Sequence, residues 1–325
     1  MAVFDVLKQI ALKDKKRLVF PEGTDERVLT AVDRLTADGI IDAIVLGKED
    51  DIQALAQKLN LKLDNVEIID PATYADFDNL AADLYELRKN KSTLEEVKQT
   101  LKDVSYFGTM LVYKGLADGM VSGAVHSTAD TVRPALQIVK TAAGMHRVSG
   151  SFVMERGDEK YIFADAAINI DPDAATLAEI GYQSAQSAKM VGLEPKVAFL
   201  SFSTKGSAKG DMIDKVVEAT KIFKENYPDI PADGELQFDA AFVPSVGQRK
   251  APGSEVAGHA NVFVFPELQS GNIGYKLAQR LGNFTAVGPI LQGLAKPIND
   301  LSRGASSQDV YDLGILTAAQ AVFKD

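Results

Sequence analysis

RLVFPEGTDERVLTAVDRLTADGIIDAIVLG, from Arg17 to Gly47, decides the fold class. Arg17 to Phe20 is a short β-rich run that stops at Pro21-Glu22-Gly23, where proline removes a backbone donor and glycine frees the chain to turn. Beyond it Val28, Leu29, Val32 and Leu35 recur at helical spacing, with Thr24 placed to cap the helix and Gly39 to end it. Ile40 to Leu46 is a second apolar run, closed by Gly47; Ile52 to Leu59 then reads as a helix and Val66 to Ile69 as a third strand. Apolar strands alternating with helices are what a parallel sheet covered by helices requires, so the expectation is an α/β fold.

Working outward, helical patterns fill about Thr73 to Leu116, interrupted near Lys91-Ser92 and Lys102-Asp103. Met120 to Val125 reads as a strand that runs into His126-Ser127-Thr128, and a helix follows to about Thr141. Ser149 to Glu155 and Tyr161 to Ala166, joined by a polar turn, read as a hairpin. A helix over about Ala174 to Val191, strands at Lys196 to Phe202, Leu236 to Val243, Val262 to Phe265 and Phe284 to Val287, and a closing helix from about Ser307 to Phe323 complete the pattern. At 325 residues the chain exceeds the size at which one core stops growing, roughly 250–300 residues. The expected division is a first α/β domain of residues 1–145 plus 290–325 and a second of 146–289, the two chain crossings making a hinged cleft.

Composition excludes several classes. With 35 basic and 45 acidic residues the formal charge is -10, a poor match to nucleic acid or an anionic membrane, so an anionic ligand needs a local basic cluster working against the global field. The chain has no cysteine, which removes disulfides, thiolate zinc sites and a cysteine nucleophile, and fits a reducing cytoplasm. Met1 to Lys16 carries Asp5 in a short amphipathic pattern rather than a signal-peptide core, and no apolar run approaches the ~20 residues of a membrane span. There is no G-x-x-x-x-G-K-[ST], no G-x-G-x-x-G after a strand and no G-x-S-x-G, against a P-loop enzyme, a dinucleotide module and an α/β-hydrolase. His126, His146 and His259 lack metal-ligand spacing.

Several stretches carry chemistry. Ser201 to Gly210, between a buried strand and a helix, offers small residues, hydroxyls and the lysines Lys205 and Lys209, with Ser207 between them; it reads either as an anion-binding loop or as a solvated connection. Arg88 lies on a helix beside Lys89 and Lys91, and Arg133 precedes Pro134, whose kink could aim the arginine at a cleft. Gly288 to Asp309 is a long polar stretch with Ser302 and Arg303, a hydroxyl beside a planar fork suited to phosphate oxygens. Ser306 and Asp309 have capping-box spacing, so on the residues alone the structural reading of Asp309 as a cap is favoured over a catalytic one.

The stretch Gly288 to Asp309, together with Phe20 to Gly23, Phe107 to Met110, Asp118 to Thr128, Arg133-Pro134, Ser201 to Ala208 and Phe265 to Leu277, resembles the acetyltransferase branch of the phosphate acetyl/butyryl transferase family over essentially the whole chain. That resemblance implies a two-domain, three-layer α/β/α fold similar to the isocitrate/isopropylmalate dehydrogenases, a cleft between domains, and a homodimer. It implies transfer of acetyl between coenzyme A and phosphate, with coenzyme A as substrate and no resident cofactor or metal. It puts the family's catalytic aspartate at Asp309, its serine–arginine pair at Ser302 and Arg303, and its other functional arginines at Arg88 and Arg133. Ser127, Thr128, Lys205 and Ser207 are further candidates for substrate binding. The cysteine that some members carry falls at Ala166, which suits direct thiol attack without an acetyl-enzyme. The competing readings are a phosphate butyryltransferase, a decarboxylating hydroxyacid dehydrogenase and a coenzyme A-binding module without catalysis.

Overall fold

The computed structural model of the chain describes residues 2–89 and 91–324, the last without its side chain. Leu7–Ala143 with Leu294–Asp325 forms a first compact unit, and Met1–Val6 with Gly144–Gly293 a second. The division departs from the sequence boundaries chiefly at the N-terminus, where Val3 is buried and its backbone N–H donates to Glu155 Oε1 of the second unit at 2.7 Å.

In chain order the elements are α1 (Val3–Ala11), β1 (Lys16–Phe20), α2 (Glu26–Ala37), β2 (Ile41–Leu46), α3 (Glu49–Leu59), β3 (Val66–Ile69), α4 (Phe77–Leu87), α5 (Leu94–Leu101), α6 (Val104–Tyr113), β4 (Gly119–Ser122) and α7 (Thr128–Pro134). At Pro134, which cannot extend the helical ladder, α7 passes into a π-helical turn, Ala135–Val139. Then come β5 (Ser149–Arg156), β6 (Glu159–Ala164), α8 (Ala174–Met190), β7 (Val197–Leu200), α9 (Asp211–Asn226), β8 (Ala232–Leu236), α10 (Phe238–Phe242), α11 (Pro244–Lys250), β9 (Val262–Val264), α12 (Leu268–Leu281) and β10 (Thr285–Gln292). The chain ends with β11 (Ile298–Asp300) and α13 (Ser307–Lys324).

The first unit is built on a five-stranded parallel sheet in the order β11-β4-β1-β2-β3. Its central strands are buried except at Arg17 and Asp42 near their starts, which is why they read as mainly apolar runs. Helix α13 seats Val310, Leu313, Leu316 and Ala319 in this core, all buried. The second unit holds a six-stranded sheet, β10-β5-β6-β9-β7-β8, in which β10, β5 and β6 run antiparallel and β6, β9, β7 and β8 parallel. Among the described residues no helix is long and apolar enough to cross a membrane.

Three local readings are corrected. The N-cap of α2 is Asp25, not Thr24; its carboxylate accepts from Arg27 and Val28 N–H. The strand expected over Leu236 to Val243 ends at Leu236, because the Gln237 N–H donates to Thr204 Oγ1 and turns the chain into a short helix that buries Ala240 and Ala241. The stretch from Gly288 to Asp309 is not one long loop. It contains the end of β10 and the edge strand β11, whose alternation is too short to stand out from its polar flanks.

Candidate active site

In the first sheet β2 and β3 lie on one side of β1, and β4 and β11 on the other. The crevice at the carboxyl ends of β1 and β4 is therefore the topological switch point, where open parallel sheets bind ligands. Three loops meet there: Pro21–Asp25 after β1, Gly123–Ser127 after β4 and Leu301–Ser306 after β11.

Two side chains of the β1 end fasten these loops. Glu22, only 5% exposed, accepts from the backbone N–H groups of Ala124 (2.8 Å), Val125 (2.8 Å) and His126 (2.9 Å), and meets His126 Nδ1 at 2.8 Å. Arg27 uses its whole fork. Nε and Nη2 hold Asp25 at 3.0 and 2.8 Å, Nη1 donates to the carbonyls of Arg303 and Ala305 at 2.9 Å each, and Nη2 also reaches the Ala124 carbonyl at 2.7 Å. The Arg27 fork depresses the Asp25 carboxyl below its ordinary range. The β4 and β11 loops are thus joined through one guanidinium, a geometry lysine could not reproduce.

Ser127 caps α7 reciprocally with Asp130, its hydroxyl donating at 2.7 Å; those hydrogen bonds hold the Asp130 carboxyl below the usual range. Thr128 Oγ1 donates to Asp300 Oδ2 at 2.6 Å, tying the first turn of α7 to the end of β11. Asp300 is 2% exposed, and its Oδ1 is buried without a well-formed hydrogen bond, the Thr131 hydroxyl lying close by. Burial pushes its carboxyl up to about 6; the Thr128 and Thr131 hydroxyls oppose the rise and the charges of Glu22 and Asp130 add to it. Gly123, at φ +102, leaves the space Asp300 needs, since a Cβ there would collide with Asp300 Oδ1 and the Leu301 backbone.

The residues singled out in the sequence fall into two groups. Ser302 and Arg303 lie exposed on the β11 loop held by Arg27, where Ser302 Oγ accepts from the Gly304 N–H at 3.3 Å. Asp309 sits in the first turn of α13 and does cap it: its Oδ2 accepts from the Ser306 N–H (2.7 Å) and hydroxyl (2.8 Å). Arg88, at the end of α4, and Arg133, on α7, converge on Tyr106, whose hydroxyl pKa is raised by burial and pulled back by both guanidinium charges. Among the described residues the side chains of Arg88, Arg133 and Arg303 have no carboxylate partner, so all three are available to an anion.

Lys205 and Ser207 belong to the second unit and have hydrogen-bond partners within it. Lys205 Nζ holds Asp233 Oδ1 at 2.5 Å and the Gly234 carbonyl at 3.0 Å. Glu235 Oε1 accepts from Ser203 Oγ at 2.9 Å and the Gly206 N–H at 2.8 Å, so a carboxylate of the protein fills the cradle that an external anion would need. Ser207 Oγ accepts from the Thr204 N–H at 3.0 Å. In the adjacent groove, about 760 Å³ and lined by Lys205, Lys224, Asp233, Lys250 and Glu255, Lys205 and Lys224 share Asp233 while Lys250 pairs with Asp239.

Sequence reasoning gave no role to Glu22, Arg27, Tyr106, His126 or Asp300. The one available signal was position: Glu22 follows a strand end directly, and Asp300 precedes the Ser302-Arg303 pair by two residues. Among the described residues no three His, Asp or Glu side chains gather into a metal-binding group.

A switch-point crevice that offers free arginines and a hydroxyl beside an accessible carboxylate suits transfer chemistry on a phosphorylated substrate. A sequence model of the phosphate acetyl/butaryl transferase family matches residues 2–318, and the chain belongs to that family of acyltransferases. Within it, the phosphate acetyltransferase of Bacillus subtilis (strain 168) is 61% identical over 317 residues, 98% of each chain. A phosphotransacetylase structure from Streptococcus pyogenes superposes with a TM-score of 0.97 at 56% identity, covering 99% of both chains. The EutD phosphotransacetylase from Staphylococcus aureus gives 0.93 at 56% identity over 98% of both.

The Asp300 shift carries a stability prediction. A carboxyl whose folded pKa lies above its ordinary 3.8 stabilises the fold fully only below about 4, and that contribution is lost as pH rises through about 6. Two units correspond to roughly 3 kcal/mol. Asp300→Asn should therefore raise unfolding free energy by up to about 3 kcal/mol at neutral pH and by much less near pH 4, read from urea titrations at both. Equal effects at the two pH values would contradict the assigned cause.

Proposed function

We propose that the protein is a phosphate acetyltransferase, exchanging acetyl between coenzyme A and inorganic phosphate, with the first-unit switch point as its chemical centre. The observation that carries this reading is the Arg27-held β11 loop, which sets the free Arg303 and Ser302 a few residues before Asp309 in a chain of this family. In the thioester-forming direction, the coenzyme A sulfur attacks the carbonyl carbon of acetyl phosphate. Asp309 takes the thiol proton, the carbon–oxygen bond to phosphate breaks, and phosphate leaves with the bonding pair. A thiol of pKa ~8.5 is mostly protonated at neutral pH, which is why a base helps. Arg303 and Ser302 stabilise the charge that builds on the carbonyl oxygen and leaving phosphate. Arg133, Arg88, Ser127 and Thr128 hold the anionic parts of the substrates.

Ala166 is buried at the position where some family members carry cysteine, and it has no nucleophile to offer, which supports direct attack. Coenzyme A is read as a substrate, with no resident cofactor, and the absence of cysteine suits a cytoplasmic setting. A homodimer is the inferred assembly. It is supported by the stripe Ile273, Leu277 and Leu281 along α12, which is 56%, 52% and 79% exposed.

Thioester formation from coenzyme A with acetyl phosphate, and in parallel with butyryl phosphate, tests the reaction and the acyl group together. Faster turnover of acetyl phosphate is expected; faster turnover of butyryl phosphate would move the protein to the other branch, and none with either would remove the reading. Asp309→Asn should lower kcat by about 10²-fold or more, by analogy with the loss of a group acting only in the transition state. Ser306→Ala, which removes the hydroxyl that donates to Asp309, should cost about 1 kcal/mol of stability and lower turnover much less than Asp309→Asn does. If both variants lose the same stability and neither loses turnover, Asp309 is a cap alone. Leu277→Lys should convert a dimer to monomers in sedimentation velocity; a wild-type monomer would remove the assembly.

A further inference from the structure

Asp300 is a buried carboxylate of the switch point that the reaction scheme leaves without a task. Its Oδ2 takes the hydroxyl proton of Thr128 at 2.6 Å, and its Oδ1 lies in the space that Gly123 vacates. A threonine hydroxyl has one proton. While that proton is committed to an ionised Asp300, Thr128 turns only lone pairs outward and cannot donate to an anion. Once Asp300 is protonated, its own O–H donates to Thr128 Oγ1, and the threonine proton is released toward the crevice.

We propose that Asp300 is a positioning residue of the anion site, deciding through the Thr128 hydroxyl whether that group donates to a phosphate oxygen. The inference rests on the reading above that Thr128 lines the site. Binding of a tetrahedral dianion is then linked to uptake of a proton at Asp300. No bond other than the O–H bonds of the two residues changes: one proton arrives from solvent on Asp300, and the existing hydroxyl proton is redirected. The charged groups facing Asp300 are Glu22 from the β1 loop and Asp130 from α7, both of which favour its protonation. Thr131 on α7 and Ser122 on β4 are the neutral polar neighbours, and both are buried. His126 sits one step away, against Glu22, and Arg133 acts on Asp130.

The test is calorimetric titration of the full-length protein with sulfate, a dianion that does not titrate near neutrality, in a pH series for the wild type, Asp300→Asn and Thr128→Val. The wild-type Kd should rise about three- to tenfold between about pH 5 and about pH 7.5, as the linked proton becomes harder to supply. Asp300→Asn, whose amide can donate to Thr128 at every pH, should show a flat profile and bind at least as tightly as the wild type at the upper end. Thr128→Val should bind weakly throughout.

If Asp300→Asn keeps the wild-type slope, the pH dependence does not come from Asp300, and the inference fails while the anion site stands. A flat wild-type profile overturns it equally. If Thr128→Val binds sulfate as the wild type does, or the wild type binds none at any pH, the placement of the anion site itself is overturned.

Discussion

One buried carboxylate sets the terms for the switch point. Three consecutive backbone N–H groups after β4 face inward, and Glu22 accepts all of them. Buried donors without acceptors each cost about 1–3 kcal/mol, so a path of the β4 loop that keeps them buried but loses Glu22 is disfavoured. The loop's path in turn fixes where α7 begins, and with it Ser127, Thr128 and Arg133. The sequence feature responsible is a glutamate in the first turn after a strand, flanked by proline and glycine, where the side chain can reach across to the neighbouring strand's exit.

Around this anchor the molecule resolves an electrostatic conflict. The chain as a whole is strongly acidic, yet its substrates are anions. Several basic side chains are held by internal partners: Lys205 and Lys224 share Asp233, Lys250 holds Asp239, and Arg27 is bound to Asp25. Arg88, Arg133 and Arg303 are left unneutralised among the described residues. A local field of the right sign thus comes from where unpaired arginines are placed rather than from an overall excess of base. Guanidinium suits this role because it keeps its charge at any pH and presents a planar fork to phosphate.

Much of the fold was legible because burial writes itself into periodicity. The runs at Arg17 to Phe20, Ile40 to Leu46 and Val66 to Ile69 appear as strands within a residue of their read limits. The failures are equally physical. Thr24 and Asp25 are both good caps, and only the Arg27 contact selects Asp25. Leu236 to Val243 carries alternation that fits a strand, and the bond from Gln237 to Thr204 overrides it. The site was legible as a set of residue types but not as a set of partners. Nothing local to Lys205 reveals its pairing with Asp233 across the sheet. Asp300 looked like ordinary loop polarity because its neighbours come from three separate stretches of chain.

The Arg27 clamp has a consequence for how such a site can change over time. Its contacts outside its own helix cap are to main-chain oxygens, those of Arg303, Ala305 and Ala124. Carbonyls are the same whatever side chain they carry. The residues on the clamped loops can therefore be exchanged without loosening the frame that presents them, provided their backbone geometry is kept. Reactive groups and scaffold are specified by different parts of the sequence, so a lineage can alter the acyl group it handles while inheriting the mounting unchanged.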